Sequence, residues 1–144
     1  MTLRKGDVAM STLVESLKIQ HLAILNMLTE VGQLGIGTKE GQAKLLAAKT
    51  TLIAHLQRED QALYPALRKA AEGNGSLQET LTLFAKDMEK ITTQVIHFFE
   101  QYAQGGSGMT FAQDFGVLSA MLQTRISREE GILYQEYNKL AEAE

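Results

Sequence analysis

The 144 residues are 44% hydrophobic and 22% charged, which fits one globular domain with one continuous core, read as a single domain over 1–144. A formal charge of -3 excludes the dense Lys/Arg field that a nucleic-acid backbone requires, and acidic membranes are disfavoured likewise. Cys is absent, so there are no disulfides, thiolate nucleophiles or sulfur ligands. Asp7, Ser11 and Glu15 break up the N-terminal stretch before it reaches signal-peptide length, no run approaches a membrane span, and the expected compartment is the cytoplasm.

Most glycines gather in three clusters, Gly32/Gly35/Gly37, Gly73/Gly75 and Gly105/Gly106/Gly108, which divide the chain into four segments. The segments are expected as helices at about 8–32, 38–71, 76–104 and 110–141. The first starts between Asp7 and Thr12. Thr38 is the expected N-cap of the second, Ser76 with Glu79 as a capping box opens the third, and Thr110 with Gln113 opens the fourth. Long helices joined by short loops run antiparallel, so the expected fold is an all-α, up-down-up-down four-helix bundle.

Each segment carries an inward stripe at alternating steps of three and four residues. The first runs Val14, Leu17, His21, Ile24, Leu28, Val31. The second runs Leu45, Ala48, Leu52, His55, Glu59, Ala62, Ala66, with Pro65 read as a kink because it removes a backbone donor and crowds the preceding turn. The third runs Leu77, Leu81, Phe84, Met88, Ile91, Val95, Phe98, Tyr102. The fourth runs Phe111, Phe115, Leu118, Leu122, Arg125, Glu129, Ile132.

Two His, two Glu and an Arg on inward stripes must compensate one another, because an unpaired buried charge costs several kcal/mol. His55 and Glu59 are four residues apart, as are Arg125 and Glu129, so each pair shares a helix face. The two faces also echo each other. HLQREDQALYPAL from His55 aligns with RISREEGILYQEY from Arg125 at a constant offset of 70, which presents helices 2 and 4 as pseudo-symmetric partners carrying a carboxylate each.

His21, the His55-x-x-x-Glu59 pair with the following Leu-Tyr-Pro, and Arg125-x-x-x-Glu129-Glu with the following Leu-Tyr together resemble the hemerythrin-like (HHE cation-binding) domain over most of the chain. The resemblance implies a metal site in the bundle. Members with an intact site hold two irons, and His21, His55, Glu59 and Glu129 match that pattern. Arg125 stands where the helix 4 His is expected, and Met88 where a helix 3 His is expected. His97 is no substitute, because nine residues beyond Met88 turn it about 180° away, so it is expected to face outward.

Carried over, the family's division of ligands leaves one half-site: two imidazoles and two carboxylates, acceptable for a single Fe(II), Mn(II) or Zn(II) ion, with iron first. Two carboxylates, Arg125 and one divalent ion sum to +1, whereas a second divalent ion with a bridging hydroxide gives +2 with fewer ligands. The expected role is that of a binding or sensing domain, not an enzyme, for a small ligand such as oxygen, nitric oxide or peroxide, or for iron handling. The alternative is a metal-free regulatory or protein-interaction module in which Arg125 replaces the metal charge, its guanidinium fork holding Glu59 or Glu129. Met88 is expected as core filler, and Tyr64 and Tyr134 as caps on the core with hydroxyls toward water. A ferritin-like oxidase is set aside because it needs Glu-x-x-His pairs, and nucleophile-elbow and phosphate-loop motifs are absent.

Overall fold

The computed structural model describes residues 11–103 and 108–143. Helix α1 is Thr12–Leu34, with Ser11 as N-cap accepting from the Val14 N–H at 3.0 Å. The expected start at residue 8 lies outside the described residues. The helix stops at Gly35, whose φ of 67° is the left-handed conformation a side chain resists, and whose N–H bonds to Val31 O.

Helix α2 opens at Thr38, as expected, and occupies 39–70 in three parts: α-helix Lys39–Arg58, a π turn Glu59–Leu63, and α-helix Tyr64–Ala70. Helix α3 is Gly75–Gln101. Its cap is Asn74, in extended conformation with its side chain accepting from the Leu77 N–H at 3.1 Å, which corrects the expected Ser76–Glu79 box. Helix α4 repeats the form of α2 over 108–143: Gly108–Arg128, a π turn Glu129–Leu133, and Tyr134–Ala143. Thr110 therefore lies inside α4 and is not its cap.

The four helices form an all-α bundle, and the described residues contain no strand. Ser11 N–H, at the start of α1, donates to Asn138 Oδ1 near the end of α4, while Gly32 near the end of α1 lies against Phe115 near the start of α4. These two helices are thus antiparallel. No described helix is long and apolar enough to cross a membrane.

The two π turns stand at the same offset of 70 residues as the sequence echo, Glu59–Leu63 against Glu129–Leu133. In each, the N–H of the following tyrosine bonds five residues back, Tyr64 to Glu59 O and Tyr134 to Glu129 O. One residue is accommodated beyond the α-helical count, so the inward face advances by one position. Leu63 and Leu67 are buried in place of the expected Ala62 and Ala66, and Leu133 in place of Ile132, which is 42% exposed. The expected kink at Pro65 is this π turn. Proline does not cause it, because the second π turn has Gln135 at the corresponding position, its side chain donating to Glu130 O at 3.3 Å.

The apolar interior is two clusters, not one. One contains Ile24, Leu28, Leu52, Ile91 and Leu122; the other contains Leu17, Leu63, Phe84, Leu133 and Tyr134. Along every helix the passage from one cluster to the other crosses a single level, occupied by His21 on α1, His55 and Glu59 on α2, Met88 on α3, and Arg125 and Glu129 on α4. The five charged or titratable members of this level are each at most 3% exposed. With apolar clusters above and below them, their desolvation must be offset by polar partners at this level or by a ligand.

Candidate metal centre

His21, His55, Glu59 and Glu129 each present a donor atom within 4.8 Å of the others, all four residues being buried. His21 Nε2 lies 3.0 Å from His55 Nε2 and 3.6 Å from Glu129 Oε1, and His55 Nε2 lies 3.3 Å from Glu59 Oε1. Donors about 2.0–2.2 Å from a common ion stand roughly 3–4 Å apart, so these separations fit a single ion.

The outer nitrogens fix the imidazole tautomers. His21 Nδ1 is 2.8 Å from Glu130 Oε2, and His55 Nδ1 is 2.8 Å from Gln20 Oε1. A carboxylate or amide oxygen only accepts, so each Nδ1 carries the proton and donates. Neutral rings of this tautomer turn two Nε2 lone pairs toward each other at 3.0 Å. That contact is repulsive unless a proton or a cation lies between the rings. Burial foremost, and the neighbouring His55, push the His21 pKa down despite the Glu130 hydrogen bond, so the proton is disfavoured.

The carboxylates point the same way. Burial, followed by the adjacent Glu59, pushes the Glu129 carboxyl well above the usual range. Burial acts to raise Glu59 as well, but the neighbouring Glu129 and His55 and the hydrogen bond from Tyr134 outweigh it and hold Glu59 down to about 2. Without a cation, Glu129 keeps a proton that Glu59 has lost. Glu59 Oε1 and Glu129 Oε2 are buried with no hydrogen-bond partner, two orphaned carboxyl oxygens beside two facing lone pairs. A hard or borderline divalent cation satisfies all four donors at once, so the residues present fit the group.

Arg125 does not act as a fork on the glutamates. Its Nη1 donates to Phe84 O at 3.2 Å and its Nη2 to the Tyr64 hydroxyl at 2.7 Å, with the guanidinium carbon 4.6 Å from the Phe84 ring centroid. Only its Nε approaches Glu129 Oε1, at 3.9 Å, without a hydrogen bond. The positive charge is thus beside the carboxylates but is held by α2 and α3.

The tyrosines are likewise not caps facing water. Tyr134 is fully buried; its hydroxyl donates to Glu59 Oε2 at 2.9 Å and stands 3.1 Å from His21 Nε2. Tyr64 is buried under Arg125. In both cases the π turn, which sequence spacing does not reveal, rotates the tyrosine inward. Glu130 and Gln20 were not read from the sequence as site residues either. Their one signal is adjacency to Glu129 and His21, and a neighbouring residue ordinarily points about 100° away. Met88 is half-buried at the same level, and His97 is exposed, as its phase predicts.

The family model described as hemerythrin HHE cation binding domain matches residues 12–137. The chain belongs to this family. No curated protein and no solved structure matches the chain. Among the positions of this hemerythrin domain, the cluster His21, His55, Glu59 and Glu129 is the one among the described residues whose donors converge for a cation. Arg125 and Met88 fill the remainder of the polar level.

Proposed function

We propose that this hemerythrin domain holds one divalent metal ion, iron first, through His21, His55, Glu59 and Glu129, and uses it as a binding or sensing centre for a small ligand such as oxygen, nitric oxide or peroxide. It is a binding module in this reading, not an enzyme. The observation that carries it is the meeting of the two Nε2 lone pairs at 3.0 Å, with both rings tethered from behind by Glu130 and Gln20. Tethers of this kind fix ring orientation and raise ligand basicity. An ion so held supplies a Lewis-acidic position to which a small ligand can bind.

Arg125 supports a single ion. Its guanidinium occupies the level beside Glu129, and a second dication next to this fixed charge would be repelled across a low-dielectric interior. Tyr134 restrains Glu59 through Oε2, and Oε1 has no partner within the protein.

The metal-free reading, a regulatory or protein-interaction module, draws on the same Arg125. One guanidinium and one ionised Glu59 balance when Glu129 keeps its proton, a neutral network that needs no metal. Elemental analysis of protein purified without chelator separates the two. One metal ion per chain, and a charge-transfer band on adding azide or peroxide to the iron form, are expected. Protein that stays metal-free after expression in iron-rich medium and dialysis against ferrous, manganous and zinc salts establishes the module instead.

A further inference from the structure

Two hollows in the bundle share one wall. The inner one, of about 20 Å³, lies at the polar level and is lined by His21, His55, Arg125 and Glu129 together with apolar side chains that include Ile91 and Leu122. A single water requires about 10–15 Å³ on this scale, so the hollow takes a molecule of water or diatomic size. The outer hollow is a surface groove of about 380 Å³ between α2 and α3, rimmed by Lys49, Gln57 and Asp60. Leu56, Met88 and Val95 line both.

The three wall residues are not equivalent. Val95 is 2% exposed and β-branched, with little rotamer freedom in a helix. Leu56 and Met88 are half-buried. Methionine has three rotatable bonds, no branch and a soft thioether, so it can leave its position at the lowest cost of the three.

We propose that an uncharged, apolar diatomic molecule reaches the centre from the α2–α3 groove past the displaced Met88 side chain, and rests in the inner hollow between Met88, Ile91 and Arg125. The inference rests on the reading that the four-donor cluster holds a metal ion, and adds to it a route, a gate and a ligand class. Most of the wall of the inner hollow is aliphatic, which suits an apolar molecule, and the two terminal nitrogens of Arg125 are already engaged by Phe84 O and the Tyr64 hydroxyl.

Two measurements test it. In the ferrous-loaded chain, stopped-flow binding of nitric oxide is compared with Met88→Ala and Met88→Trp. Shortening the gate is expected to raise the association and dissociation rates by the same factor, about tenfold, the equivalent of about 1.4 kcal/mol of barrier, with Kd unchanged. The Trp variant is expected to slow both. Rates that respond to neither substitution overturn the route. In the metal-free chain carrying ¹³C-methyl methionine, the Met88 resonance is expected to shift saturably under xenon while that of exposed Met109 does not. Absence of that shift overturns the inner hollow as an apolar gas site. A chain that takes up no iron yet shows the xenon response overturns the metal reading, and with it the route to a metal centre, and leaves the inner hollow standing as an apolar gas site. One that binds iron but shows neither gating nor a xenon response overturns the route and leaves the metal reading standing.

Discussion

The hydroxyl of Tyr134 donates to Glu59 Oε2 at 2.9 Å, joining the start of the last helical stretch of α4 to the π turn of α2. It is the donor that holds one face of the Glu59 carboxylate while the other oxygen has no partner. Tyr134→Phe keeps the ring, which stacks at 5.4 Å on His21, and removes this bond together with the 3.1 Å contact to His21 Nε2. The variant is expected to lose about 1–3 kcal/mol of unfolding free energy, because a buried acceptor is left bare. Urea denaturation of the metal-free protein measures it, and a loss within experimental error would sink the assignment of Tyr134 to the centre.

Glu130→Ala removes the acceptor behind His21 without touching a donor atom of the cluster. Metal affinity is expected to fall about 10- to 100-fold, read by competition with a chromogenic chelator. Its counterpart at the 70-residue offset, Asp60, is exposed and bonds to no ring. Asp60→Ala is therefore the matched control, expected to leave affinity unchanged. Equal losses in the two variants would point to a general effect of surface charge.

Replacing Arg125 by Met separates the two charge states of the site. In the metal-free protein the variant removes the buried cation that stands 3.9 Å from Glu129 and balances the charge of the carboxylate pair, and is expected to cost about 3–5 kcal/mol. With a divalent ion bound, the two carboxylates are already neutralised, so the cost is expected to shrink to the lost bonds to Phe84 O and the Tyr64 hydroxyl. Thermal melts with and without metal give the difference. An identical loss in both states would show that Arg125 serves packing alone.

Gly41 lies in the first turn of α2, where helix propensity alone makes Gly→Ala stabilising by about 1 kcal/mol. The fold reverses the sign. A Cβ on residue 41 would stand 1.7 Å from Gly35 O, a backbone atom of the loop leading out of α1. Gly41→Ala is expected to lower the melting temperature, whereas Gly37→Ala, whose Cβ meets nothing within 4 Å, is not.

At the far end of the bundle the Tyr102 hydroxyl donates to Asp114 Oδ2 at 2.5 Å, and this bond, with a smaller contribution from burial, pushes the phenol up to about 12 from 10.0. Above pH 10 the unfolded chain releases this proton while the folded chain retains it. The stabilisation is therefore fully present below pH 10 and lost as pH rises through about 12. Tyr102→Phe is expected to flatten that part of the stability profile, followed by the melting temperature across the alkaline range. A profile as steep as the wild type's would assign the alkaline loss to other groups.

The sequence by itself determined the four helices, the inward stripe of α1 residue for residue, and the two segments, 70 residues apart, that carry the polar level. These are local properties: periodicity, glycine joints and caps act within a few residues of one another. It also made His21, His55, Glu59 and Glu129 the candidates: a four-residue spacing keeps His55 and Glu59 on one face without reference to any other helix, and the family resemblance supplied the full set.

Only the tertiary structure decided what lies behind and beside those donors. A π turn is an added residue that leaves no mark in composition, yet it changes the phase of everything after it, which is why Leu63 and Leu133 replaced Ala62 and Ile132 and why Tyr134 turned inward. The direction of Arg125 is likewise nonlocal, set by Phe84 on α3 and Tyr64 on α2 and not by the glutamate four residues along its own helix. The convergence of His21 and His55 at 3.0 Å, with their protons drawn outward to Glu130 and Gln20, joins α1, α2 and α4 and exists only once they are packed.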